Sequence, residues 1–431
     1  MRTIRAGFAI FSDWIQDARL PLEHRGGSRE AKGHDTTMTQ LELTAERHPI
    51  VADMNPNGVQ GVLDAIQRMA PLIDERRAEF DKLRRLPDEV FEAMADAGLF
   101  RLWLPRALGG PELSPFEFMR VVEAASALDG SVGWLVGNGG GMSRAGGYVP
   151  KAVAGEWFAN PRAFVAAATG AVGVAKPVGG GYRVSGRWPF GSGAHHASLF
   201  MVLAAEEPNG PQLCCYVGRN DVTILDNWHV SGLRGTGSCD FEVREVFVPA
   251  AHVHPFLDLK PSDPGLVYRM PPVPVFAWTI SAMPLGIARD AIRVFAELAS
   301  RRRGFGPAAL LRDRELVQAT AGRAEAMHHA ARAFLVDAMT ELMAATDVGG
   351  ERLVRARAVL RMAATYAAEA AVNIVDMLAN SAGSASIFET CRLERAVRDA
   401  RAAARHVAFG PNNYVVGGRL ALGLDPGTAR F

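Results

Sequence analysis

Apolar residues recur at three- and four-residue spacing from about residue 58 to 158. They shorten into strand-like runs from about 160 to 257 and return to helical spacing from about 275 to 410. In the first stretch, Val62–Leu83 reads as an amphipathic helix. Pro87–Val90 reads as a helix start whose helix stops at Gly98, Pro105 and Gly109–Gly110 as a loop, and Pro115–Leu128 as a further helix. Gly133–Met142 is apolar and glycine-rich, suited to close packing against a ligand or another helix. The middle stretch carries Phe164–Val165, Tyr182–Val184, Leu199–Leu203, Gln212–Val217 and Phe241–Val243, separated by glycine or asparagine turns. Short strands at this spacing predict a barrel or sandwich. The last stretch predicts long helices over 275–302, 312–345, 350–381 and 391–408, arranged as an antiparallel four-helix bundle. The expected architecture is α+β and multidomain. It has an N-terminal helical domain (38–159), a central β domain (160–257) and a C-terminal helical domain with a tail (268–431). Residues 1–37 are arginine-rich and aperiodic, and are expected to be a disordered extension or a start placed upstream of a true Met38.

Composition narrows the class. The chain has 431 residues, a net charge of +1 and 48% hydrophobic residues, which fits a globular enzyme and not a nucleic-acid binder that relies on a basic field. No apolar run reaches transmembrane length. Cys214, Cys215, Cys239 and Cys391 have no Cys-x-x-Cys spacing, and Cys214 and Cys215 are expected on opposite faces of one strand. Free thiols in a reducing, cytoplasmic compartment are the expectation.

His406 is the residue with the clearest chemical potential. It closes a helix-forming stretch that runs from Leu393 to the stop at Gly410–Pro411. Arg398, Ala402 and His406 are spaced by four, so they are expected on one face. A helix C-terminus favours the protonated imidazole, which suits proton transfer near neutral pH. A surface histidine on an alanine-rich helix is the plainer alternative. The chain has no Gly-x-Gly-x-x-Gly, Walker, His-Glu-x-x-His or Gly-x-Ser-x-Gly motif.

Seven segments in order carry a resemblance. They are Ser131–Trp134, Gly186–Gly193, Gly232–Ser238, Val246–Pro249, Arg302–Gly306, Gly383–Ser384, and Arg398–Asp399 with His406. Over roughly residues 60 to 431 the chain resembles the acyl-CoA dehydrogenase fold, and within it the group D flavin-dependent monooxygenases. The resemblance implies a two-component oxygenase. Reduced flavin (FMN or FAD) would arrive from a separate NAD(P)H:flavin reductase, react with O2 to a C4a-hydroperoxide, and oxygenate a small organic substrate. It also implies a homotetramer built as a dimer of dimers.

The resemblance assigns roles to single residues, each with a plainer alternative. Phe190 and Ser192 would sit beside the isoalloxazine and at its N5/O4 edge, with Gly193 completing the turn; Ser192 is otherwise a turn residue. Trp134 would line the pocket near the flavin or belong to the core. Arg234, Thr236 and Ser238 would hold phosphate on a glycine-rich connection, or form an ordinary hairpin. Arg302, with Phe305, would reach flavin phosphates, often a neighbour's, or be one of a solvated arginine triplet. Gly383 and Ser384 would contact phosphate or break a helix. His196 is read as structural, and His328–His329 as a helix-surface pair.

The catalytic expectation rests on His406, with Ser192 at the flavin. Many acyl-CoA dehydrogenases place a glutamate base where this chain has Val407, and valine cannot take a proton. A dehydrogenase with a relocated base, for which Glu325 is the candidate, and an inactive flavin-fold scaffold are the other readings. Many aromatic hydroxylases of the group carry a second histidine eight residues after the tryptophan matched by Trp134. Here that position is Met142, which puts a two-histidine phenol hydroxylation in doubt.

Overall fold

The computed structural model describes residues 56–302, 310–428 and 431. Expectations for residues 1–37, Phe305 and Gly306 lie outside them. Helices come first: α1 Pro56–Leu83, α2 Asp88–Asp96, α3 Pro115–Leu128, α4 Gly130–Met142 and α5 Lys151–Trp157. Ser114 starts α3 with a capping box. Its hydroxyl accepts from Glu117 N–H while the Glu117 carboxylate accepts from Ser114 N–H. Asp129 ends α3 and starts α4, where its Oδ1 accepts from Ser131 N–H at 2.9 Å.

The glycine-rich Gly133–Met142 segment lies within α4, despite glycine's poor helix propensity. Packing explains this. A Cβ at Gly133 would lie 1.8 Å from Ser126 Oγ, and one at Gly137 would lie 2.3 Å from the Thr279 carbonyl oxygen. The glycines admit neighbouring helices, not a ligand.

The strands are β1 Val165–Val178, β2 Gly181–Gly191, β3 Leu199–Glu206, β4 Gln212–Gly218, β5 Thr223–Leu225, β6 Cys239–Pro249 and β7 Val253–Pro255. They form one mixed sheet in the order β5-β6-β2-β1-β3-β4-β7. β1 runs parallel to β3, with Val165 opposite Leu199; the other pairs are antiparallel. The hydrogen-bonded ladder is open, which corrects the barrel or sandwich expectation. Helical packing on both faces serves in place of closure. Cys214 joins the core that includes Ala154, Phe158 and Tyr216, whereas Cys215 joins the main core. The two cysteines therefore face opposite sides, and all four are free thiols.

The C-terminal helices are α6 Leu266–Arg269, α7 Pro272–Ser281, α8 Met283–Arg301, α9 Glu315–Thr346, α10 Gly350–Ala382, α11 Arg392–Ala403 and α12 Asn412–Ala421. The helix expected over 275–302 is broken at Ala282, with Pro284 in the first turn of α8. α10 is long and apolar enough to pass a membrane-span test on composition alone, but two-thirds of that window is buried against the rest of the chain. The chain thus runs from N-terminal helices through a mixed sheet to C-terminal helices, the helix–sheet–helix order that the sequence predicts.

Candidate active site

Where β2 ends, the backbone turns sharply. Phe190 has φ 64° and Gly193 φ 73°, and a Cβ at Gly193 would lie 2.6 Å from the Phe164 ring. Ser192 sits between them, almost fully buried, and heads a chain of polar groups. Trp134 Nε1–H donates to Ser192 Oγ at 2.9 Å. Ser192 Oγ lies 2.8 Å from Ser238 Oγ, Ser238 Oγ lies 2.7 Å from Thr236 Oγ1, and Thr236 Oγ1 donates to the Leu233 carbonyl at 2.9 Å. The two ends fix the direction of the middle. An indole N–H only donates and a carbonyl only accepts, so each hydroxyl proton points from Ser192 towards Leu233. Ser192 keeps one lone pair and no proton to offer a ligand.

The loop that carries Thr236 and Ser238 is pinned to α11. Leu233 N–H donates to Asp399 Oδ1 at 2.7 Å. Asp399 is buried, and burial raises its pKa, as does Asp129 nearby, against the opposing Arg395. Arg395 in turn pairs with Asp129 at 2.8 Å and Asp81 at 3.0 Å. The Arg398–Asp399 motif thus works through structure: Asp399 positions the loop.

His406 differs from the expectation in three ways. α11 ends at Ala403, so His406 lies beyond the helix and off the face of Arg398 and Ala402. It has extended backbone and caps a short turn at Val407–Phe409, with Nδ1 accepting from Ala408 N–H at 3.1 Å. Burial, followed by the Arg361 cation, pulls its pKa down to about 4, opposite to the helix-end effect expected. A neutral ring whose Nδ1 accepts must carry its proton on Nε2. The ring meets Trp134 edge-on at 5.3 Å, which brings it to the Ser192 group. Val407 is 74% exposed and points away from that packing.

The remaining predicted residues fall into two groups. Phe190 is 63% exposed and meets Trp228 edge-on, a bare ring at the mouth of the turn. Arg234 Nε is buried without a hydrogen-bond partner. Arg302 and Ser384 meet each other: Arg302 Nη2 donates to Ser384 Oγ at 3.2 Å and Nη1 to the Ala382 carbonyl at 2.8 Å, beside Gly383 at φ 64°. Among the described residues no hydrogen bond, ion pair or ring contact joins this second group to the Ser192 group.

His196 stacks on Phe91 at 4.2 Å and contacts the Leu86 carbonyl at 3.1 Å, the structural role expected. His328 corrects the surface-pair expectation: it is buried, with Nε2 3.1 Å from the Leu285 carbonyl. Glu325, the alternative base, accepts from Arg289 at 2.8 and 3.0 Å and is committed there. Sequence reasoning missed Arg361 and Arg144. Arg144 is a single cation in the otherwise uncharged stretch Gly130–Pro150, a signal that was present.

Comparison with known proteins bears on this geometry. Residues 64–146 match the family model for the acyl-CoA dehydrogenase N-terminal domain, and residues 278–411 match that for the C-terminal domain. The chain is 30% identical over 384 residues to the flavin-dependent monooxygenase oxygenase subunit HsaA of Mycobacterium tuberculosis, covering 85% of this chain and 97% of that one. It is 29% identical over 371 residues to an indole-3-acetate monooxygenase of Pseudomonas putida, covering 85% and 94%. The crystal structure of the M. tuberculosis HsaA superposes with a TM-score of 0.80 at 28% identity, covering 86% and 100%. XiaF from a Streptomyces species, in complex with FADH2 and glycerol, superposes with a TM-score of 0.79 at 26% identity, covering 86% and 98%.

Proposed function

The chain belongs to the flavin-dependent monooxygenases related to the HsaA oxygenase subunit, and from that premise we propose that it oxygenates a small organic substrate at the Ser192–Trp134–His406 site. The observation that carries the assignment to this site is the one-way hydroxyl chain ending at Ser192. A group there that accepts but does not donate suits the protonated N5 of a reduced flavin better than the bare N5 of an oxidised one. Exposed Phe190 offers a flat apolar wall, and the unpartnered Arg234 Nε suits a phosphate oxygen. FMN and FAD both meet these requirements.

A reduced flavin bound there would supply the activation of O2 that oxygen transfer needs. The chain's own residues orient and exclude water. Ser192 holds the flavin edge, Thr236 and Ser238 set the direction of its hydroxyl, and Trp134 fixes Ser192 from the opposite side. His406 presents Nε2–H to the substrate side. With Nδ1 already accepting from Ala408 N–H, the resting imidazole is a donor at Nε2. It orients a substrate oxygen or assists a departing one, and takes a proton only by giving up the Ala408 bond.

The same reading includes a separate NAD(P)H:flavin reductase as the source of reduced flavin, and a cytoplasmic enzyme. It also keeps the division into 38–159, 160–257 and 268–431, and a bundle formed by α8, α9, α10 and α11. A homotetramer belongs to it as well. Ile387 and Phe388 are 72% and 61% exposed next to the Gly383–Ser384 turn, an apolar surface suited to a neighbouring subunit, with Arg302 beside it to serve that subunit's flavin. Sedimentation tests the assembly: a stable monomer that binds flavin fully would contradict it. Oxygen consumption tests the function. The chain with supplied reduced flavin should consume O2, and the chain with NADH and flavin alone should not oxidise NADH quickly.

A further inference from the structure

Trp134, Asn138 and Met142 recur every four residues and lie along one face of α4. Asn138 is the one α4 residue that is not buried. The face runs roughly 12 Å from Trp134 to Met142. At its far end Met142 lines a cavity with Arg144, Tyr148, Met201, Tyr216, His254 and Phe276. The free space as it stands holds about one water molecule, so a larger group enters only if the lining side chains move.

Arg144 is the anomaly of this cavity. It is 3% exposed. One amino group, Nη2, donates to Tyr148 Oη. Nε and Nη1 are buried with no acceptor, and the guanidinium lies over the Tyr148 and Phe276 rings, 5.1 and 5.9 Å from their centroids. The neighbouring polar atoms offer nothing more. Tyr148 Oη donates to the Tyr268 carbonyl at 3.0 Å. His254 Nδ1 faces the Pro255 carbonyl at 2.8 Å, so its Nε2 accepts from Tyr216 Oη at 3.1 Å. Burial keeps this surround neutral: it raises the pKa of Tyr148, Tyr216 and Cys214 and lowers that of His254 to about 4. One full positive charge therefore sits against two aromatic rings with two of its nitrogens, Nε and Nη1, lacking an acceptor. A fold rarely keeps such a group without a use for it.

We propose that Arg144 anchors a carboxylate of the substrate, with the substrate body lying along the Trp134–Asn138–Met142 face and its other end reaching Ser192 and His406. This assignment rests on the monooxygenase reading above. The planar guanidinium fork suits a carboxylate, and the apolar walls of Met142, Met201 and Phe276 suit the carbon frame next to it. Met142 then belongs to substrate binding where a second histidine would do proton chemistry. Reception of a longer substrate requires the side chains at the Met142 end to part.

Titration of the purified full chain with acetate and phenylacetate, and with the matched acetamide and phenylacetamide, tests the anchor by calorimetry and melting temperature. Both acids should bind and stabilise the chain, each at least about tenfold more tightly than its amide. Arg144→Met should abolish the acid preference while melting no lower than the parent, because a buried unpaired charge gives way to an apolar side chain of similar length. Arg144→Lys should keep a reduced preference. Equal affinity for acid and amide, no binding by any of the four probes, or an acid preference that survives in Arg144→Met would overturn the proposal. Reduced-flavin binding and O2 consumption on the same samples separate the two levels. If they persist without an acid preference, only the anchor fails; if they are absent, the monooxygenase site fails, whatever the acids do.

Discussion

The two ends of α4 meet their polar neighbours in opposite ways. At the Trp134 end the indole, two serines and a threonine form one directed chain in which each donor has an acceptor and which closes on a backbone carbonyl. At the Arg144 end a buried cation keeps two nitrogens without acceptors among residues that are neutral and already bonded. A closed network fixes the direction of a hydroxyl and so the kind of group it can receive. An open one states what is missing from it. In the proposed function the first would sort flavin redox states, and in the proposed anchor the second would sort substrates by charge.

The largest effect should come from His406. His406→Ala should lower product formation by about two to four orders of magnitude. Flavin binding should stay nearly intact and O2 should be released as peroxide, all measured by product and peroxide assays on one sample. Normal coupling would make the residue structural. His406→Gln sharpens the point: a side chain that still donates an N–H should recover part of the loss if donation is the role, and none if proton uptake is.

A broader effect follows from the partly buried imidazoles. His196, His254 and His406 have pKa values lowered from 6.5 to about 4 in the folded chain, mainly by burial. Between those values the unfolded chain binds the extra protons, so stability is lost as pH falls through that window and is fully present above it. Each such proton contributes a slope of about 1.4 kcal/mol per pH unit. Chemical denaturation should show a steep loss of stability from pH 6.5 down to 4 and little change from 7 to 8. The acid limb of turnover should lie well below 6.5; a limb at 6.5 would mean that His406 titrates as a solvent-exposed histidine does.

The smallest effect breaks the closed chain itself. Ser192→Ala leaves Trp134 Nε1–H without its acceptor and Ser238 Oγ without its donor, and should cost about 1–3 kcal/mol of stability. A cost near zero would mean that water replaces the hydroxyl.

Much of the first end was legible in the sequence, and little of the second. Ser192 and Trp134 were expected at the flavin ring, His406 on the substrate side, and Thr236 and Ser238 at a phosphate; the structure links Thr236 and Ser238 to Ser192 by hydrogen bonds and brings His406 to Trp134. The direction of the hydroxyl chain was not legible, because it depends on Leu233 and Trp134 closing it from distant segments. The pKa of His406 was misjudged because α11 ends at Ala403, three residues before it, and burial then outweighs any helix-end effect. Helical order along α4 was hidden by its glycines, which are set by contacts with Ser126 and Thr279. β1 was underestimated because Ala166–Ala168 and Gly173 have weak strand propensity, and its place between β2 and β3 overrides that. The role of Arg144 required the positions of Tyr148, Tyr216 and His254, which come from three separate elements.

Anaerobic titration of the chain with reduced and with oxidised FAD, in the parent and in Ser192→Ala, addresses the central claim most directly. The directed chain predicts tighter binding of the reduced form by the parent and loss of most of that difference in Ser192→Ala. Equal affinity for the two redox states in the parent, or a preference that survives the substitution, would contradict the account.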